Sequence, residues 1–228
     1  IVLAQQGVPP AGPLAMLAND PETRGPELYD KHCGVCHKLN ERGPEAGKET
    51  APNLTGFGTA AWAKAVLDNP DSDKLFGHTS FKGMMESVTR KPADPAAAEY
   101  FTAMKKADID AISAFLADQA QGGKGAHAAG EKLVKQRCTG CHRLDGNTDN
   151  EESLAPELRG WGSKSWIAQQ IANPGGGKTY PQAAMGKDVE GHMPAFEEQL
   201  SAAEIKLLTT WVWQQTSGAG AKPAATEK

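Results

Sequence analysis

Two segments of the chain place apolar residues at the spacing of a single helix face. In "ADIDAISAFLADQ" these are Ile109, Ile112, Phe115 and Leu116, and in "AAEIKLLTTWVWQQ" they are Ile205, Leu208, Trp211 and Val212. Apolar residues recurring every three to four positions predict amphipathic helices with a buried stripe. Shorter helices are predicted through Gly25, Leu28 and Tyr29, through Gly130, Leu133 and Val134, and around Trp62 and Trp166. No stretch alternates apolar and polar residues long enough to argue for a sheet, so the fold class is all-α.

The predicted elements occur twice in the same order. "APNLTGFGTAAWAKAVLDNP" begins at Ala51 and "APELRGWGSKSWIAQQIANP" at Ala155, with Ala, Pro, Leu, both Gly, Trp, Asn and Pro in register. The chain is a tandem duplication. It divides into a Pro-rich extension over 1–24, a first unit over 25–119, a Gly- and Ala-rich linker over 120–129, a second unit over 130–216 and a disordered tail over 217–228. The extension starts apolar, the pattern left by a cleaved leader or by the exit from a membrane anchor.

Composition narrows the function. The 228 residues carry a formal net charge of −4 with no basic stripe, which argues against a nucleic-acid partner. Residues 1–120 hold 12 basic and 16 acidic residues and the remainder 12 of each, so one half presents a more acidic surface. No apolar run reaches the roughly 20 residues that span a bilayer.

The chemistry sits in "KHCGVCHKLN" and "QRCTGCHRLD". Cys33, Cys36, Cys138 and Cys141 are the only cysteines, and each pair is followed by a histidine, His37 or His142. A structural zinc site of two such hooks closes a loop of roughly 15–20 residues, far shorter than the separation of Cys36 from Cys138. A thioredoxin-like pair needs a βαβ setting that neither hook has. Disulfides within each pair would close very small loops and restrain the unfolded chain little. The reading that uses every residue is covalent haem attachment by C-x-x-C-H, twice, with two haem c groups as cofactors and each histidine under an iron.

A second axial ligand is expected in the loop after each Asn-Pro. In the second unit Met193, restrained by Pro194, is the candidate, and His192 is its rival. In the first unit, alignment of Gly83-Met84-Met85 with Gly191-His192-Met193 selects Met85, with Met84 as the alternative. Met104 falls opposite Leu200 and reads as core. The first unit carries roughly ten additional residues between its methionines and its terminal helix, which gives its rim a different build.

On these hooks, and on "HMPAF", each unit resembles a class I cytochrome c domain, and the whole resembles a two-domain, dihaem cytochrome c. The likeness covers roughly Gly25 to Gln119 and Gly130 to Gln215. It implies His37 with Met85 and His142 with Met193 as axial pairs, and the carbonyls of Pro52 and Pro156 holding the second ring nitrogen of each histidine. It also implies packing of Gly25 against Phe115 and of Gly130 against Trp211. The remaining tryptophans read as core and haem-pocket packing, and His32 and His127 as surface or linker residues.

The resemblance implies a non-enzymatic one-electron carrier, since His and Met together raise the reduction potential and leave no open coordination position. The implied partners are a donor and an acceptor redox protein. The repeated G-F/W-G-x-x-x-W element is similar to domains that serve membrane quinol-oxidising complexes, with a terminal oxidase or reductase downstream. A dihaem peroxidase, or the haem domain of a larger membrane oxidoreductase, are the alternatives. Haem attachment in this family occurs outside the bacterial cytoplasmic membrane, so a periplasmic or other extracytoplasmic location is implied.

Overall fold

The order of helices in the computed structural model follows the duplication. It describes residues 10–217 apart from 124, 126, 148–151, 187 and 190, so the predicted tail lies outside the described residues beyond Ser217. The described residues form α1 Pro13–Ala18, α2 Pro21–His32, α3 Ala60–Asp68, α4 Pro95–Tyr100, α5 Lys106–Ala120, α6 Ala128–Arg137, α7 Lys164–Ala172, α8 Gln182–Met185 and α9 Ala202–Thr216. Isolated bridges such as Leu39 with Arg42 occur, and among the described residues there is no sheet.

Local chemistry sets the helix starts. Asp20 caps α2, accepting from the Glu22 amide at 3.4 Å and also from the Thr23 hydroxyl at 2.8 Å, and Pro21 takes the first helical position, where a missing N–H costs nothing. The helix therefore opens ahead of Gly25, inside what the sequence reads as the extension. Thr59 and Ser163 occupy matching positions and cap α3 and α7 by accepting from the Trp62 and Trp166 amides, each at 3.2 Å. Ser201 and Glu204 form a reciprocal capping box at the start of α9. The additional residues of the first repeat form α4.

Tertiary packing departs from the expectation at one point. In a self-contained repeat the hook helix would cross the terminal helix of the same repeat. Here α2 packs against α9, and α5 packs against α6, while α3 stays with α5 and α7 with α9. Gly25 lies directly under Trp211, where a Cβ would overlap the Trp211 Cβ and Cγ, and Gly130 lies under Ala111 and Phe115. The expected pairs, Gly25 with Phe115 and Gly130 with Trp211, are thus exchanged. The reason is chain connection. Helix α6 begins just past the end of α5, and consecutive helices joined by a short Gly-containing turn close against each other at little entropic cost.

The exchange merges the repeats into one core, in which Leu28, Tyr29, Trp211 and Leu208 join Ile112, Phe115, Val134 and Trp161. At the centre the two Gly-x-Gly turns meet. Phe57 stands 4.8 Å from Trp161 and 6.0 Å from Trp166, and Trp62 stands 5.6 Å from Trp161, centroid to centroid.

Candidate functional site

Each hook is the continuation of a helix. The Cys33 amide donates to the Tyr29 carbonyl and the His37 amide to the Cys33 carbonyl, at 2.8 and 2.9 Å; in the second hook Cys138 donates to Val134 at 2.9 Å and His142 to Cys138 at 2.7 Å. This extra turn projects both cysteines of a pair and the histidine from one short arc. None of the four cysteines is in a disulfide, and Cys33 is buried whereas Cys36 and Cys141 are exposed. Burial pushes the Cys33 thiol up to about 12 and the Cys138 thiol up to about 11. Both inner cysteines are therefore neutral thiols at physiological pH. Among the described residues no three His, Cys, Asp or Glu side chains converge as a metal-ligand group, so the two hooks do not share a tetrahedral site.

The histidines are held as ligands should be. His37 Nδ1–H donates to the Pro52 carbonyl at 2.8 Å and His142 Nδ1–H to the Pro156 carbonyl at 3.1 Å. Each bond fixes the tautomer that leaves Nε2 as a free lone pair. Burial lowers the proton affinity of both rings, against the opposing pull of the proline carbonyls, so both imidazoles are neutral. This donor set, two thiols and one neutral, oriented imidazole per hook, fits a covalently attached haem at each position.

The candidate distal residues are placed unequally. Met193 and Met85 are half-buried against the core, whereas Met84 is 55% exposed. Gln170 Nε2 lies 3.7 Å from the Met193 Sδ. The His192 ring donates from Nδ1 to the Val189 carbonyl. Met104 packs against the core, and its amide donates to the Val88 carbonyl at 2.8 Å. His32 is not a bare surface residue: its ring meets Phe196 edge-on at 5.8 Å.

Several residues around the hooks escape a reading of the sequence. The Tyr29 hydroxyl donates to the His37 carbonyl at 2.9 Å, and burial pushes its phenol far above the ordinary range, so it keeps its proton. Trp62 Nε1 donates to the Asn53 carbonyl at 3.1 Å and Trp166 Nε1 to the Glu157 carbonyl at 3.2 Å, which anchors each middle helix to the residue after the hook proline. Repetition of the tryptophan in register was a signal for this role, although it reads equally well as packing. Arg159 ties Glu131 of α6 to Asp145 beside the second hook, at 2.8 and 2.7 Å, and lies over the Phe115 ring. No repeat signal marks it.

The cytochrome c family model matches the chain twice, over residues 22–120 and 127–216. With two oriented haem hooks in two matched segments, the chain belongs to the cytochrome c family. Nothing among the curated proteins or the solved structures matches it. Each domain accordingly carries one covalently bound haem c, and the protein transfers electrons through them; the two C-x-x-C-H hooks are the residues that would hold these groups. The haem supplies reversible one-electron chemistry at its iron. The chain's part is to fix each imidazole by a proline carbonyl.

Proposed function

We propose that the chain relays single electrons from a donor protein to an acceptor protein, entering at one haem and leaving at the other. One observation carries this reading: both hooks belong to a single core joined by the central aromatic cluster of Phe57, Trp62, Trp161 and Trp166. Because Trp62 and Trp166 are also hydrogen-bonded to the loops that hold the two histidines, the cluster couples the haem sites mechanically. The relay works on the extracytoplasmic side of a membrane, with a quinol-oxidising membrane complex as donor and a terminal oxidase or reductase as acceptor. Among the described residues no helix is long and apolar enough to cross a membrane.

Docking is brief and its interface small, as suits an electron-transfer encounter. The excess of acidic residues in 1–120 over the charge-balanced remainder leaves an uneven distribution of charge that can favour different partners at different surfaces. A spectroelectrochemical titration of the full chain tests the reading. Two low-spin haems titrating reversibly, each by one electron, are expected, together with electron-transfer rates to each partner that fall with salt. A high-spin haem with peroxide turnover would instead identify an enzyme.

A further inference from the structure

The exchanged helix partners bear on the axial ligands, and the inference rests on the haem-bearing carrier reading above. Each methionine segment is fastened to the middle helix of its own repeat. In the second repeat the Phe196 amide donates to the Ile171 carbonyl and the Glu197 amide to the Ala172 carbonyl, both at 3.1 Å, and Asn173 Nδ2 donates to the Glu197 carboxylate at 2.9 Å. Gln170 on the same helix reaches the Met193 sulfur. In the first repeat the Val88 amide donates to the Leu67 carbonyl at 2.9 Å, and the Ser87 hydroxyl to the Asp68 carbonyl at 2.5 Å.

The middle helices in turn pack on the terminal helices of their own repeats, α7 on α9 and α3 on α5, but the terminal helices pack on the hook helices of the other repeat. Through α9, Met193 is thereby linked to the first hook helix, while Trp166, near the start of α7, ties α7 itself to the loop of the second hook. Contacts along that seam agree. Trp211 of α9 lies against Tyr29 at 5.4 Å, the Arg42 guanidinium sits 5.8 Å from the Trp211 ring, and Arg24 pairs with Glu204 at 3.5 Å. Most directly, Phe196 meets His32, the residue immediately before Cys33. The second seam has the same form, with Phe115 and Ala111 over Gly130 and Phe115 under Arg159.

We propose that each haem is completed by the other repeat: the haem on Cys33, Cys36 and His37 takes Met193, and the haem on Cys138, Cys141 and His142 takes Met85. This replaces the within-repeat pairs that the family resemblance implies. Neither repeat then holds a complete ligand set, and a change in one methionine loop moves the potential of the haem attached to the other repeat.

The test is proton NMR of the reduced full chain labelled with 13C-methyl methionine. A methionine bound to haem has its methyl signal shifted far upfield by the ring current. Met193→Leu assigns its signal by loss; if that variant does not accumulate, Met85→Leu leaves Met193 as the remaining shifted methyl. The expected result is Overhauser contact from the Met193 methyl to the haem whose thioether protons belong to Cys33 and Cys36, and from the Met85 methyl to the haem on Cys138 and Cys141. Contacts confined within each repeat overturn the exchange and leave the electron-carrier reading standing. An unshifted Met193 methyl also overturns it. Failure of the carrier reading itself shows separately, as haems that do not titrate reversibly in the visible spectrum.

Discussion

Substituting Gly25 by alanine sets two effects of opposite sign against each other. In the interior of α2 the change gains about 1 kcal/mol of helix propensity on an open face. Gly25 is not on an open face: it is buried, and the new methyl would overlap the Cβ and Cγ of Trp211, the stem of a side chain only 4% exposed. Overpacking a core costs about 1–3 kcal/mol, and overlap with a stem rather than a flexible tip places this case in the upper part of that range. The net expectation is a loss of roughly 1–2 kcal/mol, a fall in Tm of roughly 2–8 °C for a chain of this size. Reversible urea unfolding of the full chain, followed by far-UV circular dichroism, reads the change. A double-mutant cycle with Trp211→Gly, which removes both overlapping atoms, should show a coupling of about 0.5–3 kcal/mol, and the parallel cycle with Phe115→Gly should be additive within about 0.5 kcal/mol. A Gly25→Ala chain more stable than the parent, or coupling to Phe115 in place of Trp211, would refute the exchanged packing.

Other perturbations probe the haem hooks and the helix caps. Tyr29→Phe removes the hydroxyl that donates to the His37 carbonyl and should cost about 1 kcal/mol, seen in thermal unfolding, while both haems stay attached. Ser201→Ala breaks the capping box of α9 for about 1 kcal/mol, with amide exchange quickening first in Glu204 and Ile205. Acidification should loosen the second hook: hydrogen bonds from Arg159 lower the proton affinity of Asp145, and those from Lys135 and Arg159 lower that of Glu131. Groups whose folded pKa is depressed add stability above their unfolded value and lose it as pH falls through the folded one, so stability should decline below about pH 4. An Arg159→Gln chain should show a shallower decline in acid titrations monitored by circular dichroism.

Much of this protein was legible in the order of its residues. Two C-x-x-C-H arcs accounted for all the cysteines, and a haem hook is local: the two thiols, the imidazole and the helical turn that presents them lie within five consecutive residues. The proline carbonyls that fix His37 and His142 come from loops a short distance downstream, close enough for the repeated "AP" to mark them. The helices were legible because their buried stripes recur at helical spacing, whereas their single-residue caps, Asp20, Thr59, Ser163 and Ser201, came to light only in the structure.

Which helix meets which was not legible. Gly25 and Gly130 offer equivalent notches, and Phe115 and Trp211 equivalent ridges, so pairing within a repeat and pairing across repeats bury similar aromatic faces, and the pattern of one sequence cannot rank them. The choice falls to the connection. The turn between α5 and α6 is short enough to hold those two helices against each other, which leaves α2, the first hook helix, and α9, the last described helix, to close the remaining seam. Tertiary structure alone thus decided that two copies of one motif fold into a single interlocked body, because the energy that distinguishes the two arrangements lies in chain closure and not in any residue.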